Sequence, residues 1–519
     1  MSIIGSMNIA QSGLNVSQMG LMVVSNNVAN MNTPGYAKQS LHQEEVLGYT
    51  PYTSAKGIQI YTGGGVMISD ITSYANQQTQ DYLNGQTSTL DSLNAQLGGL
   101  NDLADIMNEL GDGALSEAMT NFYAAAQQLT QKPNDMVLRI NYVNAAQNVA
   151  EKFNQISGLL NAKRTEYVGN ADSVTSVQQS QAGVLTDSIN STLEQIAELN
   201  DTIVTMSTSD SAPSTLINQR NELLNSLSSM VDFTKTTNPN GTININIAGL
   251  TVVKGSEQTA KLNITTGDIN NPAKVQIVAV DDANQVKIDN IHEKIIGGQL
   301  KGVLDCGSNT TGGITFDYVS DALDTLAKTF AEQVNAIQKY NDGDKAAMAI
   351  GLDANGNQIL VPSTADLFVV PADGSPISAS NIKINQAVYD NPNLVAAARV
   401  EIDADGKPLD ERAVGDSNNL IEIIALQNKN LPELGGVTLM SGLKSLVTKV
   451  GLAAANAQNK VDAQTDVVNQ IQSKYESQIA VNLDEELVDM VKYQRAYEAA
   501  SRVFSACNEM YQILVNLGE

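Results

Sequence analysis

Between Ile3 and Val28, apolar or small residues recur at alternating steps of four and three: Ile3, Met7, Ala10, Leu14, Ser17, Leu21, Val24 and Val28. Such a heptad seam lies along one side of a single helix and fits against another helix. It stops in Asn26-Asn27-Val28-Ala29-Asn30-Met31-Asn32-Thr33-Pro34-Gly35-Tyr36, where asparagine tolerates left-handed backbone and Pro34 pushes Thr33 out of the helical region. Fixing each residue of a helix costs about 1 to 2 kcal/mol. One apolar stripe does not offset that, so this helix is expected to be ordered only against a partner helix.

The candidate partner lies at the other end of the chain. There Asn482-Leu483-Asp484-Glu485-Glu486 leads into Leu487, Met490, Tyr497, Ala500, Phe504, Cys507, Tyr511 and Leu514 on one stripe, with no Gly or Pro before Gly518. Acidic residues at the first turn of a helix offset its dipole. The Asp484-Glu485-Glu486 cluster is therefore read as a helix start, in preference to a pair of catalytic carboxylates.

Between the two ends, Gly57 to Thr62 alternates like a short strand before the turn Gly63-Gly64-Gly65. No Lys-Ser/Thr follows this triple glycine, which reads as a strand turn and not as a phosphate loop. From Ile68 to Leu110 the spacing is helical, and Gly111-Asp112-Gly113 closes that helix before another begins near Leu115. No proline interrupts Pro133 to Pro213. Seventy helical residues there would span about 100 Å, with Gly158, Gly169 and Gly183 as permitted breaks.

A shorter helix covers Leu216 to Phe233, and then the period becomes two. Ile243, Ile245 and Ile247 alternate with polar residues, and Val275 to Val280 and Val286 to Ile291 are similarly β-rich. Helix returns from Phe316 to Tyr340. A second mixed insert has strands expected at Leu367 to Val370 and Val400 to Ile402, and a short helix near Pro392 to Ala398. Asp353-Ala354-Asn355-Gly356-Asn357 and Asp403-Ala404-Asp405-Gly406 imitate calcium loops. Their glycines are fourth where an EF-hand places its glycine sixth, so both are read as hairpin turns. The final helices start near Asn418, and a seam through Leu443, Leu446, Val450, Ala453, Ala457, Val461, Val468, Ile471 and Tyr475 gives about 40 helical residues.

The fold expected is mostly α with β-rich inserts. It is elongated and multi-domain, with N- and C-terminal helices pairing as a coiled-coil inner domain, a long helical-bundle rod, and outer β domains. The divisions are 1–45 and 481–519 for the inner helical segments, 46–233 for the outgoing rod, 234–300 for the first β-rich insert, 301–341 for a returning helix, 342–415 for the second insert and 416–480 for the return arm. With 4% aromatic residues and no Trp in 519 residues, a thin helical shape fits better than one large globule.

A net charge of −26, from 56 acidic and 30 basic residues, argues against nucleic acid or an anionic membrane as partner. No lysine or arginine precedes Lys38, so no cleaved signal peptide is expected, and apolar runs such as Val437 to Val450 are broken by Lys444 and Lys449, so no membrane span is expected. Cys306 and Cys507 are expected to be buried thiols. The two histidines, His42 and His292, sit in no catalytic motif. Neither an enzymatic reaction nor any cofactor or metal is expected.

Ser25 to Tyr36 with Gln39 resembles the N-terminal signature of bacterial flagellar rod, hook and hook-associated proteins, and Val481 to Glu486 with Tyr493-Gln494 resembles their C-terminal signature. Leu216-Ile217-Asn218-Gln219-Arg220-Asn221-Glu222-Leu223-Leu224 looks like the helix that precedes the β-rich part of hook-associated proteins, and Gly297-Gly298-Gln299-Leu300-Lys301-Gly302-Val303-Leu304 looks like the return to their helical domain. Asn218 and Asn221 stand where the family often has Asp, and Ala480 where it often has Gly.

The resemblance implies an extracellular structural part of the flagellum at the junction of hook and filament, exported by a type III route without a cleaved leader. It implies partners as well: copies of itself in a ring or helical layer, hook protein, a second junction protein, and a cytoplasmic export chaperone on the C-terminal helix. The assembly surface expected on this basis comprises Ile3, Met7, Leu14, Leu21, Val24, Val28, Asn30, Asn32, Pro34, Gly35 and Tyr36 with Asn482, Leu483, Leu487, Met490, Tyr497, Phe504, Tyr511 and Leu514. The alternatives are another flagellar axial protein (hook, rod or second junction protein) or a surface adhesin on a coiled-coil stalk.

Overall fold

The computed structural model describes residues 3–33, 36–47, 51–53, 56, 59–61, 63–74, 77–108, 115–206, 214–269, 271–280, 285–308, 313–369 and 374–516. The chain opens with helix α1 (Ile3–Ala29), followed by strands β1 (Gln39–Glu45), β2 (Pro51–Thr53), β3 (Gln59–Tyr61) and β4 (Val66–Ser73). β1 pairs antiparallel with β4, and β2 with β3. The strand expected at 57–62 is β3, with Gly57, Ile58 and Thr62 outside the described residues. The helix expected from Ile68 starts instead at Gln77, because Ile68 lies in β4. A bulge at His42/Gln43 shifts the register against β4 and makes its spacing look helical. In the glycine turn, Gly65 has φ +110°, and a Cβ there would run into Ser12 Oγ of α1.

Six helices follow: α2 (Gln77–Asn108), α3 (Leu115–Gln131), α4 (Met136–Val168), α5 (Val174–Gln179), α6 (Gln181–Met206) and α7 (Ser214–Met230). Gly111-Asp112-Gly113 lies outside the described residues. The long proline-free run is folded back on itself. Asp135 caps α4 by accepting from Val137 N and Leu138 N, and the helix ends at Gly169, φ +78°, whose added Cβ would run into Val177 Cα. α6 then packs against α4. Gly158 and Gly183 lie inside α4 and α6.

The first insert has two small antiparallel sheets. One orders β5 (Thr234–Thr237), β6 (Ile243–Ile247), β7 (Leu250–Lys254) and β8 (Glu257–Gln258) side by side, and the other places β10 (Ala273–Ala279) between β9 (Ala260–Thr266) and β11 (Val286–Ile288). Ile243, Ile245 and Ile247 are buried as their alternation requires. Helices α8 (Gly298–Gly307) and α9 (Phe316–Gln338) return to the bundle.

In the second insert, β12 (Lys345–Leu352) lies between β13 (Gln358–Pro362) and β14 (Ala398–Glu401), with α10 (Gln386–Asp390) between the last two in sequence. The strand expected at Leu367 to Val370 is reduced to a single Phe368–Ile384 bridge, and Val370 lies outside the described residues. Asn335 Oδ1 accepts from both Leu367 N and Phe368 N, so this backbone is tied to α9 instead of a sheet. Pro392–Leu394 forms one 3-10 turn, and Ala398 already belongs to β14. Both calcium-like loops are turns closed by their own first aspartate. Asp353 Oδ1 accepts from Asn355 N and Asn357 N, and Asp403 Oδ1 accepts from Asp405 N and Lys407 N. No cluster of three or more metal-ligating side chains occurs among the described residues.

Three arginines fix the inserts to the bundle. Arg139, 1% exposed, donates to the carbonyls of Pro133, Pro392, Asn393 and Val395. Arg220 donates to Asn200 Oδ1 and Gly241 O, while Asn200 Nδ2 reaches Ile243 O and Gly255 O of the first insert. Arg164 pairs with Asp317 at 2.8 Å, donates to Gly307 O, and reaches Ile269 O of the first insert at 2.5 Å.

The chain ends in α11 (Asn418–Ala425), α12 (Leu439–Ile479) and α13 (Leu483–Asn516). α12 runs along α2, and α13 runs along α1. The main hydrophobic core extends from Leu100 to Ala457 and includes no residue of α1 or α13. The two terminal helices are therefore held mainly by each other and by the joint described next. Among the described residues, no helix is long and apolar enough to cross a membrane.

Candidate assembly interface

α1 and α13 pack antiparallel in a heptad register set by small residues. A Cβ added at Gly20 would stand 2.5 Å from the Tyr493 ring, and one added at Gly13 would stand 3.6 Å from Ala500 Cβ. Both contacts repeat after seven residues in opposite directions, and one further heptad brings Asn27 to Glu486. The buried stripe of α1 is Ala10, Val16, Ser17, Gly20, Val23, Val24 and Asn27. Positions 10, 17 and 24 of the sequence seam face inward as expected. At the alternate positions the structure uses Gly13, Gly20 and Asn27, one residue before Leu14, Leu21 and Val28. Glycine lets the backbones approach and leaves room for the Tyr493 ring, a signal that a search for large apolar residues passes over.

At the end of this pair lies a polar joint. Glu486 and Asn27 are each 1% exposed, and Asn27 Nδ2 donates to Glu486 Oε2 at 3.0 Å and to Gln39 O at 3.0 Å. Asn27 Oδ1 accepts from Tyr36 Oη at 2.7 Å and from Gln39 N at 3.0 Å. Lys38 Nζ lies 3.2 Å from Glu486 and 2.9 Å from Glu485. The Lys38 backbone donates to Ile479 O, at the end of α12, and accepts from Tyr74 N, just past β4. One residue thus ties together α12, α13 and the strand pair.

Burial acts first on Tyr36, with the Glu486 charge second, and its phenol is pushed up to about 12. Burial pulls the Lys38 ammonium down, but hydrogen bonds and charge from Glu485 and Glu486 outweigh it and hold its pKa above the ordinary value.

The residues expected at the assembly surface divide into three groups. Val24 is buried in the pair, and Ile3, Met7, Leu14, Leu21, Val28, Met490 and Phe504 are half-buried along it. Tyr36 is in the joint. Asn30 donates to Asn26 O, and Asn482 accepts from Asp484 N at the start of α13; Asn32 is exposed, and Pro34 and Gly35 lie outside the described residues. The third group, Leu483, Leu487, Tyr497, Tyr511 and Leu514, is exposed. Val488, Val491, Val503, Met510, Ile513 and Val515 are exposed beside them, Ile513 by 60%. So α13 is apolar on the face α1 covers and again at positions that no described residue covers. Asn27, Lys38 and Glu486 went unnoticed as site residues because each has a sufficient local reading, as turn residue, surface charge and helix-opening acid.

Three family models match the chain: Flagellar hook-associated protein FlgK helical domain over residues 100–347, Flagellar basal body rod FlgEFG protein C-terminal over 472–517, and Flagella basal body rod protein over 7–36. Curated relatives named Flagellar hook-associated protein 1 are each 24% identical: from Salmonella typhimurium over 98% of this chain and 99% of that protein, from Escherichia coli K12 over the same shares, and from Bacillus subtilis 168 over 98% and 97%. The solved structure of the flagellar hook junction protein FlgK from Burkholderia pseudomallei is similar in fold, with a TM-score of 0.55 at 16% identity, covering 76% of this chain and 100% of that one.

Proposed function

The chain belongs to the flagellar hook-associated protein 1 family, and on that premise we propose that it joins hook to filament by packing its terminal helices among those of neighbouring copies. Its role is structural. The uncovered apolar faces of α13 carry this reading, because a monomer that exposes so many large aliphatic side chains on one helix has a surface made for protein. The antiparallel α1–α13 pair forms the inner, tube-lining layer, and the two β-rich inserts face outward. Hook protein lies on one side and the second junction protein on the other.

Before export, the same apolar faces need cover, and a cytoplasmic chaperone on the C-terminal helix supplies it. In a strain lacking this chain, electron microscopy is expected to show hooks without filaments, with flagellin lost to the medium. Complementation by a Val503→Asp, Leu514→Asp variant, whose unfolding temperature stays that of the parent, is expected to leave the defect in place. Normal filaments on that variant overturn the reading, and chaperone binding that survives removal of residues 487–514 overturns the chaperone assignment.

A further inference from the structure

Near the start of α2, two buried polar atoms have no hydrogen-bond partner among the described residues: Asn84 Nδ2 and Ser88 Oγ. Asn84 is 6% exposed and Ser88 2%. They stand one helical turn apart and line the same cavity of about 430 Å³, enclosed by α2, the segment from Ser228 to Lys235, and the Ile296-Gly297 approach to α8. Buried donors are almost always paired in folded chains, because leaving one unpaired carries its full desolvation cost. Two of them in one cavity mark a place where an acceptor arrives from outside.

The rest of the cavity restricts what can arrive. Asp232 Oδ1 already accepts from Ile296 N and Gly297 N. Lys235 Nζ is committed to Asp81 at 2.7 Å. No unspent cation is left for a phosphate or carboxylate, and the walls are completed by Phe233 and by Ile296, which is 78% exposed. The mouth is open at Gly85, where an added Cβ meets nothing within 4 Å.

We propose that this cavity receives a neutral peptide segment of a second copy of this chain, a carbonyl or side-chain amide accepting from Asn84 Nδ2 and pairing with Ser88 Oγ. The proposal rests on the assembly reading above. Two features favour a copy as occupant. α2 packs along α12, which leads through Ala480 to Asn482 into α13, so the cavity rides on the stem that carries the assembling helices. A chain of net charge −26 also meets its copies with least repulsion through an uncharged contact.

The test uses flagella isolated from cells whose sole copy of the chain carries Gly85→Cys, treated with a reagent that is maleimide at one end and photoreactive at the other. Val503→Cys on the uncovered face of α13 serves as reference, and the native thiols are buried. Both variants are expected to yield copy-to-copy cross-links. Adding Asn84→Leu is expected to lower the Gly85→Cys yield about tenfold while the unfolding temperature of the isolated chain holds or rises. If Val503→Cys joins copies and Gly85→Cys joins none, or captures a different protein, the cavity proposal falls and the assembly reading stands. If neither joins copies, both fall.

Discussion

Asn27 and Glu486, 459 positions apart, share a 3.0 Å hydrogen bond in a site closed to solvent. Their contact is where the first and last helices of the chain are clasped, and it determines the cost of separating them. Glu486→Ala leaves Lys38 with Glu485 alone and Asn27 without one of its acceptors. A buried charged partner removed in this way costs about 2 to 4 kcal/mol. Hydrogen exchange is expected to show faster exchange throughout α1 and α13, with the bundle core unaffected. Glu486→Gln keeps an acceptor for Asn27 and loses the ion pair, so its effect is expected to be smaller; equal effects would show that the charge contributes nothing.

The joint is expected to weaken at alkaline pH. Tyr36 and Lys38 both have folded pKa values raised above their ordinary ones. A group raised in this way contributes stability that is whole below its unfolded pKa and lost as pH rises through the folded value. For Tyr36 the window runs from 10.0 to about 12. The tyrosinate absorbance difference between the parent chain and Tyr36→Phe is expected to titrate near the upper end of that window. A midpoint at the ordinary phenol value would show the ring to be exposed.

Gly20→Ala separates helix propensity from packing. Alanine favours an isolated helix by about 1 kcal/mol, yet here its methyl would stand 2.5 Å from the Tyr493 ring. Overpacking of this kind costs about 1 to 3 kcal/mol, so the α1–α13 pair is expected to loosen. Tyr493→Leu makes room, and thermal unfolding of the double variant is expected to recover most of the loss. A Gly20→Ala chain more stable than the parent contradicts the register.

How the ends meet was legible in the sequence in outline and not in detail. Heptad spacing identified both helices, and the long seam from Leu439 to Tyr475 matched α12 closely. The contacts were misplaced by one residue on alternate turns, because hydrophobic pattern weights Leu14 and Leu21 above Gly13 and Gly20, whereas a close helix crossing selects the smaller residue. The β-rich character of the first insert showed in Ile243, Ile245 and Ile247, since one face of that sheet is solvated. β12 escaped notice because Ala346 to Ile350 are buried without alternation, a run that reads equally as helix or strand. The arginine anchors and the joint depend on partners scores to hundreds of residues away, which local pattern does not carry.

Arg139 is expected to be the most sensitive single anchor of the second insert. Its guanidinium donates to four backbone carbonyls, three of them between Pro392 and Val395, and burial lowers its pKa to about 10. Lysine reaches fewer of these oxygens with a single ammonium. Arg139→Lys is expected to cost about 2 to 3 kcal/mol in thermal unfolding and to make the Pro392 to Val395 segment sensitive to protease. Unchanged proteolysis there would show that the insert is held by its apolar contacts alone.

The two thiols report separately on the two levels of organisation. Cys306 lies in the main core beside Gly99, and burial, with the charges of Asp305 and Asp102 behind it, pushes its pKa up to about 12. Cys507 is 4% exposed, and the heptad register of α1 and α13 places it opposite Ser6, in a pair that shares no core with the bundle. Local opening of a small unit demands less free energy than global unfolding. In the monomer, Cys507 is therefore expected to react with a maleimide about 100-fold or more faster than Cys306, and to slow again once the chain is built into a flagellum. Glu486→Ala is expected to accelerate Cys507 and leave Cys306 unchanged. Equal rates for the two thiols in the monomer would mean that the terminal helices open only when the bundle does, and that assembly adds no order to them.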